Sequence, residues 1–155
     1  MPLLGLGVYD MHNDEAVYAV THALQTGYQL IDTASMYGNE VQVGIGVRQS
    51  GIPRREIFVT TKVNNTQQGY DETLRAFDES MKKLDIGYID LYLLHWPIKK
   101  TRKETWQAME RLYEEKLVKA IGVANYLEPF LDELSTYANI VPAVNQVEFS
   151  PWLYL

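Results

Sequence analysis

Hydrophobic positions along the chain fall into two alternating kinds of pattern. Short apolar runs occupy residues 3–6, 29–31, 57–63, 89–94, 120–123 and 143–149. Several are continuous, as strands buried on both faces of a parallel sheet require. Between them the apolar positions switch to helical spacing. Val17, Val20, Ala23 and Leu24 share one face of a helix that Gly27 stops as its C′ residue. Val41, Ile45 and Val47 predict a second helix running toward Gly51, and Leu74, Phe77, Met81 and Leu84 predict a third. Trp106, Met109 and Leu112 or Tyr113 mark a fourth. Phe130, Leu131, Leu134 and Tyr137 mark a fifth, entered through Glu128-Pro129, with proline suited to a first turn.

One strand plus one helix thus recurs about every 25 to 30 residues, the size of a βαβ unit. Six strands alternating with five helices predict an α/β fold with a parallel sheet. An open doubly wound sheet and a (β/α) barrel share that spacing, and the polar residues at strand ends discriminate between them. Asp32 follows the second run and Tyr37 lies five residues on. Lys62 sits at the end of the third run, and His95-Trp96-Pro97 follow the fourth. Asn125 follows the fifth, and the sixth carries Asn145, Gln146 and Glu148. In a barrel all C-terminal strand ends meet at one mouth that holds the active site, whereas an open sheet draws mainly on its switch-point loops. The expectation is a parallel TIM-type (β/α) barrel. It forms a single partial domain over 1–155, with about six of the eight strands that take about 250 residues in a full barrel.

Composition narrows the function classes. A net charge of -6 offers no basic face to nucleic acid. Cysteine is absent, which removes disulfides, thiolate metal sites and thiol catalysis. No apolar run approaches the roughly 18 residues of a membrane helix. The start, Met-Pro-Leu-Leu-Gly-Leu-Gly, lacks the pattern of a signal peptide. The expectation is a cytoplasmic protein in which the sequon Asn64-Asn65-Thr66 is unused. Gly5-Leu6-Gly7 has no G-x-G-x-x-G continuation and is no dinucleotide fingerprint.

The strand-end residues suggest a chemistry. A lysine buried at a strand end needs a partner, and Asp32 on the adjacent strand can supply it. Beside cationic Lys62, the Tyr37 phenolate is expected to be stabilised, its proton affinity falling toward neutrality. Such a tyrosine protonates a substrate oxygen, while a neutral His95 holds that oxygen by a hydrogen bond. This suits carbonyl reduction, but no side chain delivers hydride, so a nicotinamide cofactor must. Asn125 and Gln146 are amides suited to its carboxamide. Each residue also has a structural reading: Asp32-Thr33 or Asn125 as caps, Asn145 and Gln146 as hydrogen-bonded core amides.

The segment 30–40, Leu-Ile-Asp-Thr-Ala-Ser-Met-Tyr-Gly-Asn-Glu, closely resembles the aldo-keto reductase signature around its catalytic tyrosine. Thr-Thr-Lys-Val (60–63), Tyr-Ile-Asp-Leu-Tyr-Leu-Leu-His-Trp-Pro (88–97), Ala-Ile-Gly-Val-Ala-Asn-Tyr (120–126) and Val-Asn-Gln-Val-Glu-Phe-Ser-Pro (144–151) resemble its later blocks, in order. The resemblance implies Tyr37 as general acid, Asp32 and Lys62 as its tuning pair, and His95 as the substrate-orienting residue. It implies Asp32, Asn125 and Gln146 at the cofactor, Tyr9 and Trp96 as walls of the substrate pocket, NADPH as cofactor and no metal. The substrate would be a small aldehyde or ketone. Ala124 stands where the family commonly has serine, which removes one carboxamide hydrogen bond, about 1 kcal/mol.

Relative to the family the barrel is expected to be incomplete at both ends. Two strands, the cofactor-stacking aromatic, the basic phosphate loop, the C-terminal specificity loop and the N-terminal hairpin are all missing. A truncated product and self-association through open edges both follow from that expectation. The alternative functions are a non-catalytic regulatory or structural protein of this fold, an inactive fragment, and a lyase using a Lys62 Schiff base.

Overall fold

Strand and helix alternate along the whole of the computed structural model, which describes residues 1–153. The elements are β1 (Gly5–Gly7), α1 (Asn13–Gln25), β2 (Leu30–Asp32), α2 (Glu40–Gln49), β3 (Phe58–Val63), α3 (Tyr70–Leu84), β4 (Ile89–Leu94), α4 (Arg102–Glu114), β5 (Val118–Ala124), α5 (Glu128–Ser135) and β6 (Asn145–Gln146). Every strand pairs in parallel with the next, in the order β1-β2-β3-β4-β5-β6. The sheet curls into a partial TIM barrel whose outer strands are β1 and β6.

Strand alternation divides the apolar residues into two layers. Ile31, Val59, Tyr92, Leu94, Ile121 and Val123 belong to the main core, which the helices complete with residues such as Phe77, Trp106 and Leu134. Residues of the opposite parity, Leu91, Leu93 and Ala124, pack with Phe58, Ala120 and Val144 in a smaller cluster. Each fully buried aliphatic or aromatic side chain contributes about 1.5–3 kcal/mol, so the outer layer supplies most of the hydrophobic drive. At the N-terminal ends of the strands a buried carboxylate ties three strands together. Asp90 Oδ2 accepts from Arg54 Nη2 (2.7 Å) and the Val59 amide (2.9 Å), and its Oδ1 accepts from Lys119 Nζ (2.9 Å).

Three expectations need correction. The first strand is Gly5–Gly7, not residues 3–6, and Leu3 and Leu4 are exposed. In α2 only Val47 of the expected positions Val41, Ile45 and Val47 is buried: Val41 is exposed and Ile45 half-buried, while Val43, Gly44 and Gly46 are buried in their stead. The glycines decide this: a Cβ on Gly44 would collide with the Leu84 carbonyl of α3, so helix contact selects the bare face. The sixth strand shrinks to Asn145–Gln146, with Phe149 exposed, because β6 has a partner on one side only. The helix stop at Gly27 is as expected, with φ 103° after the C-cap Thr26. In α4 the choice between Leu112 and Tyr113 falls to Leu112, which is buried.

Candidate active site

The C-terminal strand ends converge. Lys62, at the end of β3, is 1% exposed and its ammonium has three acceptors around it. Nζ donates to Asp32 Oδ1 at 2.6 Å, the Thr33 carbonyl at 2.9 Å and Tyr37 Oη at 3.3 Å. Three protons meet three acceptors, the arrangement that lets a buried ammonium keep its charge. Burial pulls the Lys62 pKa down, and the carboxylate of Asp32 opposes that fall. The same contacts close the amine off from a carbonyl carbon, which argues against a Schiff base.

Tyr37 sits in a single 3-10 turn, Ser35–Tyr37, that ends on Gly38 in the left-handed region at φ 69°. The Ser35 hydroxyl fastens the turn by donating to the Lys62 carbonyl at 3.0 Å. The expected drop in Tyr37 proton affinity is not what the geometry gives: its pKa is pushed up to about 12. Burial is the main cause, with the Asp32 and Tyr9 charges adding to it. Lys62 does not reverse this because Asp32, 2.6 Å from its Nζ, offsets its charge. Tyr37 Oη accepts from Lys62, so its own proton remains free for another acceptor.

His95 packs edge-on to the Tyr37 ring, centroids 5.7 Å apart. Burial and the Lys62 charge lower its pKa to about 4, so the ring is neutral at neutral pH. Its Nδ1 is buried with no hydrogen-bond partner among the described residues. A bare lone pair is tolerated there better than an orphaned N–H, which favours the proton on Nε2. Tyr9 also packs edge-on with Tyr37, centroids 5.1 Å apart, and is largely exposed. Trp96 is partly exposed, and with Pro97, Ile98, Asn125, Leu127 and Phe130 it lines an apolar groove of about 520 Å³ beside the mouth.

The two candidate amides are already half engaged. Asn125, held at φ 61°, donates through Nδ2 to the His95 carbonyl at 3.0 Å, and Gln146 Nε2 donates to Asp32 Oδ2 at 2.9 Å. The Gln146 bond joins β6 to β2 across the concave side of the sheet. Asn145, on the opposite face of β6, exchanges bonds with the backbone of Tyr126 and is a structural amide. Glu148 is exposed on the groove wall.

Residues 3–154 match the sequence profile of the Aldo/keto reductase family. The chain belongs to the aldo/keto reductase family. It is 50% identical over 154 residues to a glyoxal reductase of Bacillus subtilis, covering 99% of this chain and 56% of that protein. It is 53% identical over 152 residues to a 9,11-endoperoxide prostaglandin H2 reductase of Trypanosoma cruzi, covering 97% of this chain and 54% of the other. Among solved structures, an aldo-keto reductase from a Medee basin deep-sea metagenome library superposes with a TM-score of 0.94 at 51% identity, over 96% of this chain and 55% of that one. An aldo-keto reductase of Bombyx mori in complex with NADP superposes with a TM-score of 0.90 at 35% identity, again over 96% and 55%. The chain spans about half the length of the curated relatives it matches.

Within the aldo/keto reductase frame the donor set suits a nicotinamide carboxamide. Each amide commits one N–H to the protein, so Asn125 and Gln146 keep an amide oxygen that can accept from it and a second N–H that can donate to it. Among the described residues there is no group of three His, Asp or Glu placed to hold a metal ion, and no helix long and apolar enough to cross a membrane.

Three buried polar residues escaped the sequence reading, two of them beside the site. Asn39 is fully buried and bonds Thr33, Val8 and Met11. Glu40 accepts from Thr61 Oγ1 at 2.7 Å behind Lys62, and burial raises its pKa. Glu110 in α4 gathers Trp106 Nε1 (3.1 Å) and the amides of Asn139 (2.6 Å) and Ile140 (2.9 Å), which fixes the segment leading into β6. Asn39 and Glu40 stand in the signature segment, and Trp106 with Glu110 has the i, i+4 spacing of a helix pair.

Proposed function

We propose that this chain carries the proton-donating and substrate-orienting part of an NADPH-dependent carbonyl reductase that turns an aldehyde or ketone into an alcohol. The observation that carries this reading is the Lys62–Tyr37 contact, in which the lysine donates and the tyrosine proton stays free. A nicotinamide cofactor, when bound, supplies the hydride. Asp32, Asn125 and Gln146 would hold it. As negative charge grows on the carbonyl oxygen, Tyr37 passes its proton to that oxygen. A pKa near 12 keeps the proton on Tyr37 until the oxygen has become strongly basic. The tyrosinate left behind faces the Lys62 ammonium, which stabilises it. Neutral His95 offers its Nε2–H to the same oxygen and orients the carbonyl. Tyr9 and Trp96 would flank the substrate. The names of the relatives support the reaction class, and the NADP complex of the silkworm relative supports the cofactor class.

The test is consumption of NADPH with a reactive aromatic aldehyde by the 155-residue chain and by its Tyr37→Phe variant. Turnover that falls at least about a hundredfold in the variant is expected of a lost general acid. Equal turnover in both would overturn the assignment of Tyr37.

A further inference from the structure

We propose that Asn39 is a positioning residue that fixes the aromatic wall Tyr9 against Tyr37 and ties this wall to the Asp32–Lys62 pair. Only the kinetic part of its test rests on the carbonyl-reductase reading.

Asn39 is 0% exposed and uses each of its amide groups. Nδ2 donates to the Val8 carbonyl at 2.8 Å and to the Met11 carbonyl at 2.9 Å. Oδ1 accepts from the Thr33 hydroxyl at 2.7 Å. The two carbonyls bracket Tyr9-Asp10, where the chain turns through φ 62° at Asp10. That turn has few bonds of its own: the Met11 amide reaches the Val8 carbonyl at 3.2 Å, and the Val8 amide reaches the Asp32 carbonyl at 3.0 Å.

Tyr9 is 74% exposed, so little packing holds its ring. The ring nonetheless lies 5.1 Å from that of Tyr37 at an interplanar angle of 67°. Its position is therefore inherited from the backbone of 8–11, and Asn39 is what clamps that backbone on both sides. The other end of the clamp reaches the site as well. Thr33, which donates to Asn39, presents its own carbonyl to Lys62 Nζ at 2.9 Å. One side chain thus joins the loop after β1, the end of β2 and the turn that bears Tyr37.

The residue type is dictated by this job. A primary amide offers two donors and an acceptor on one short branch. Aspartate would set a carboxylate against two carbonyl oxygens, and leucine would leave the Met11 carbonyl without its side-chain donor and the Val8 carbonyl with the Met11 amide alone.

The experiment compares the full chain with Asn39→Ala, Tyr9→Ala and the double variant, using hydrogen exchange of the 8–12 segment and kinetics with NADPH and an aromatic aldehyde. Loss of two hydrogen bonds should speed exchange over 8–12 by about tenfold or more, while α3 and β4 stay protected. In Asn39→Ala, KM should rise about fivefold, the worth of one aromatic edge contact, with kcat changing by less than about twofold. If Asn39 acts through Tyr9, the double variant has the KM of Tyr9→Ala alone. Should alanine unfold the chain, Asn39→Ser is measured in its place. Unchanged exchange at 8–12, or KM effects that multiply in the double variant, would overturn the proposal. A wild-type chain without turnover would sink the reductase reading instead, and the exchange result alone would then decide the role of Asn39.

Discussion

Replacing Asp32 by Asn keeps the shape at the centre of the site and removes one charge. Lys62 is 1% exposed and Asp32 15%, so the pair is buried on one side and only lightly hydrated on the other. Breaking such a pair by deleting one partner costs about 3–5 kcal/mol, because the remaining charge stays buried. The partial exposure of Asp32 puts the expectation near 3 kcal/mol at neutral pH. The loss should depend on pH. Burial already lowers the Lys62 pKa and Asp32 is what resists this, so the variant's lysine titrates lower still. Above that lowered pKa the native lysine is neutral while the unfolded one remains protonated. The unfolded state then binds more protons, and stability rises with pH. The deficit should therefore shrink by up to about 1.4 kcal/mol per pH unit. The shrinkage ends where the wild-type Lys62 itself begins to lose its proton. Urea unfolding of both proteins at several pH values between neutrality and pH ~10, near the ordinary lysine pKa, measures this directly. A deficit below about 1 kcal/mol, or one that does not change with pH, would refute the reasoning that Asp32 compensates a buried ammonium.

Two further outcomes test the surrounding framework. His95 is buried and its pKa falls from 6.5 to about 4, so acidification through this window should destabilise the native state, where the ring resists a proton that the unfolded chain accepts. The loss approaches about 3 kcal/mol by pH ~4, and His95→Gln should flatten that part of the stability-versus-pH curve in urea titrations; an unchanged slope would count against a buried neutral ring. Glu110→Gln keeps the shape but weakens a carboxylate that four donors share, and should cost about 1–3 kcal/mol in thermal unfolding, with faster amide exchange at Asn139 and Ile140. A variant with wild-type melting would mean that these bonds do not hold the approach to β6.

The alternation of strands and helices was legible in the sequence because strand and helix faces repeat with different periods, and β4 shows this most plainly: residues 89–94 read as one buried apolar run and all six are buried. Asp32, Tyr37, Lys62 and His95 were also legible as strand-end polar residues, and the fold brings them together. Where local pattern failed, contact between elements had overruled it. The buried face of α2 depends on the approach of Gly44 to the end of α3, and no spacing within 40–49 contains that information. The short span of β6 reflects having a partner on one side only, a property of the sheet and not of residues 143–149. The protonation of Tyr37 likewise needed three-dimensional placement: residue types alone paired it with a cation, whereas the folded site adds burial and an aspartate that offsets that cation. The roles of Asn39 and Glu110 were hidden for a related reason, since each has two partners that are backbone groups about 30 residues away. By itself the sequence determined the order of elements and which residue types stand at the strand ends. Only the tertiary structure decided which faces are buried, which charges cancel and which amides are already bonded, because each of those follows from atoms distant in the chain meeting in space.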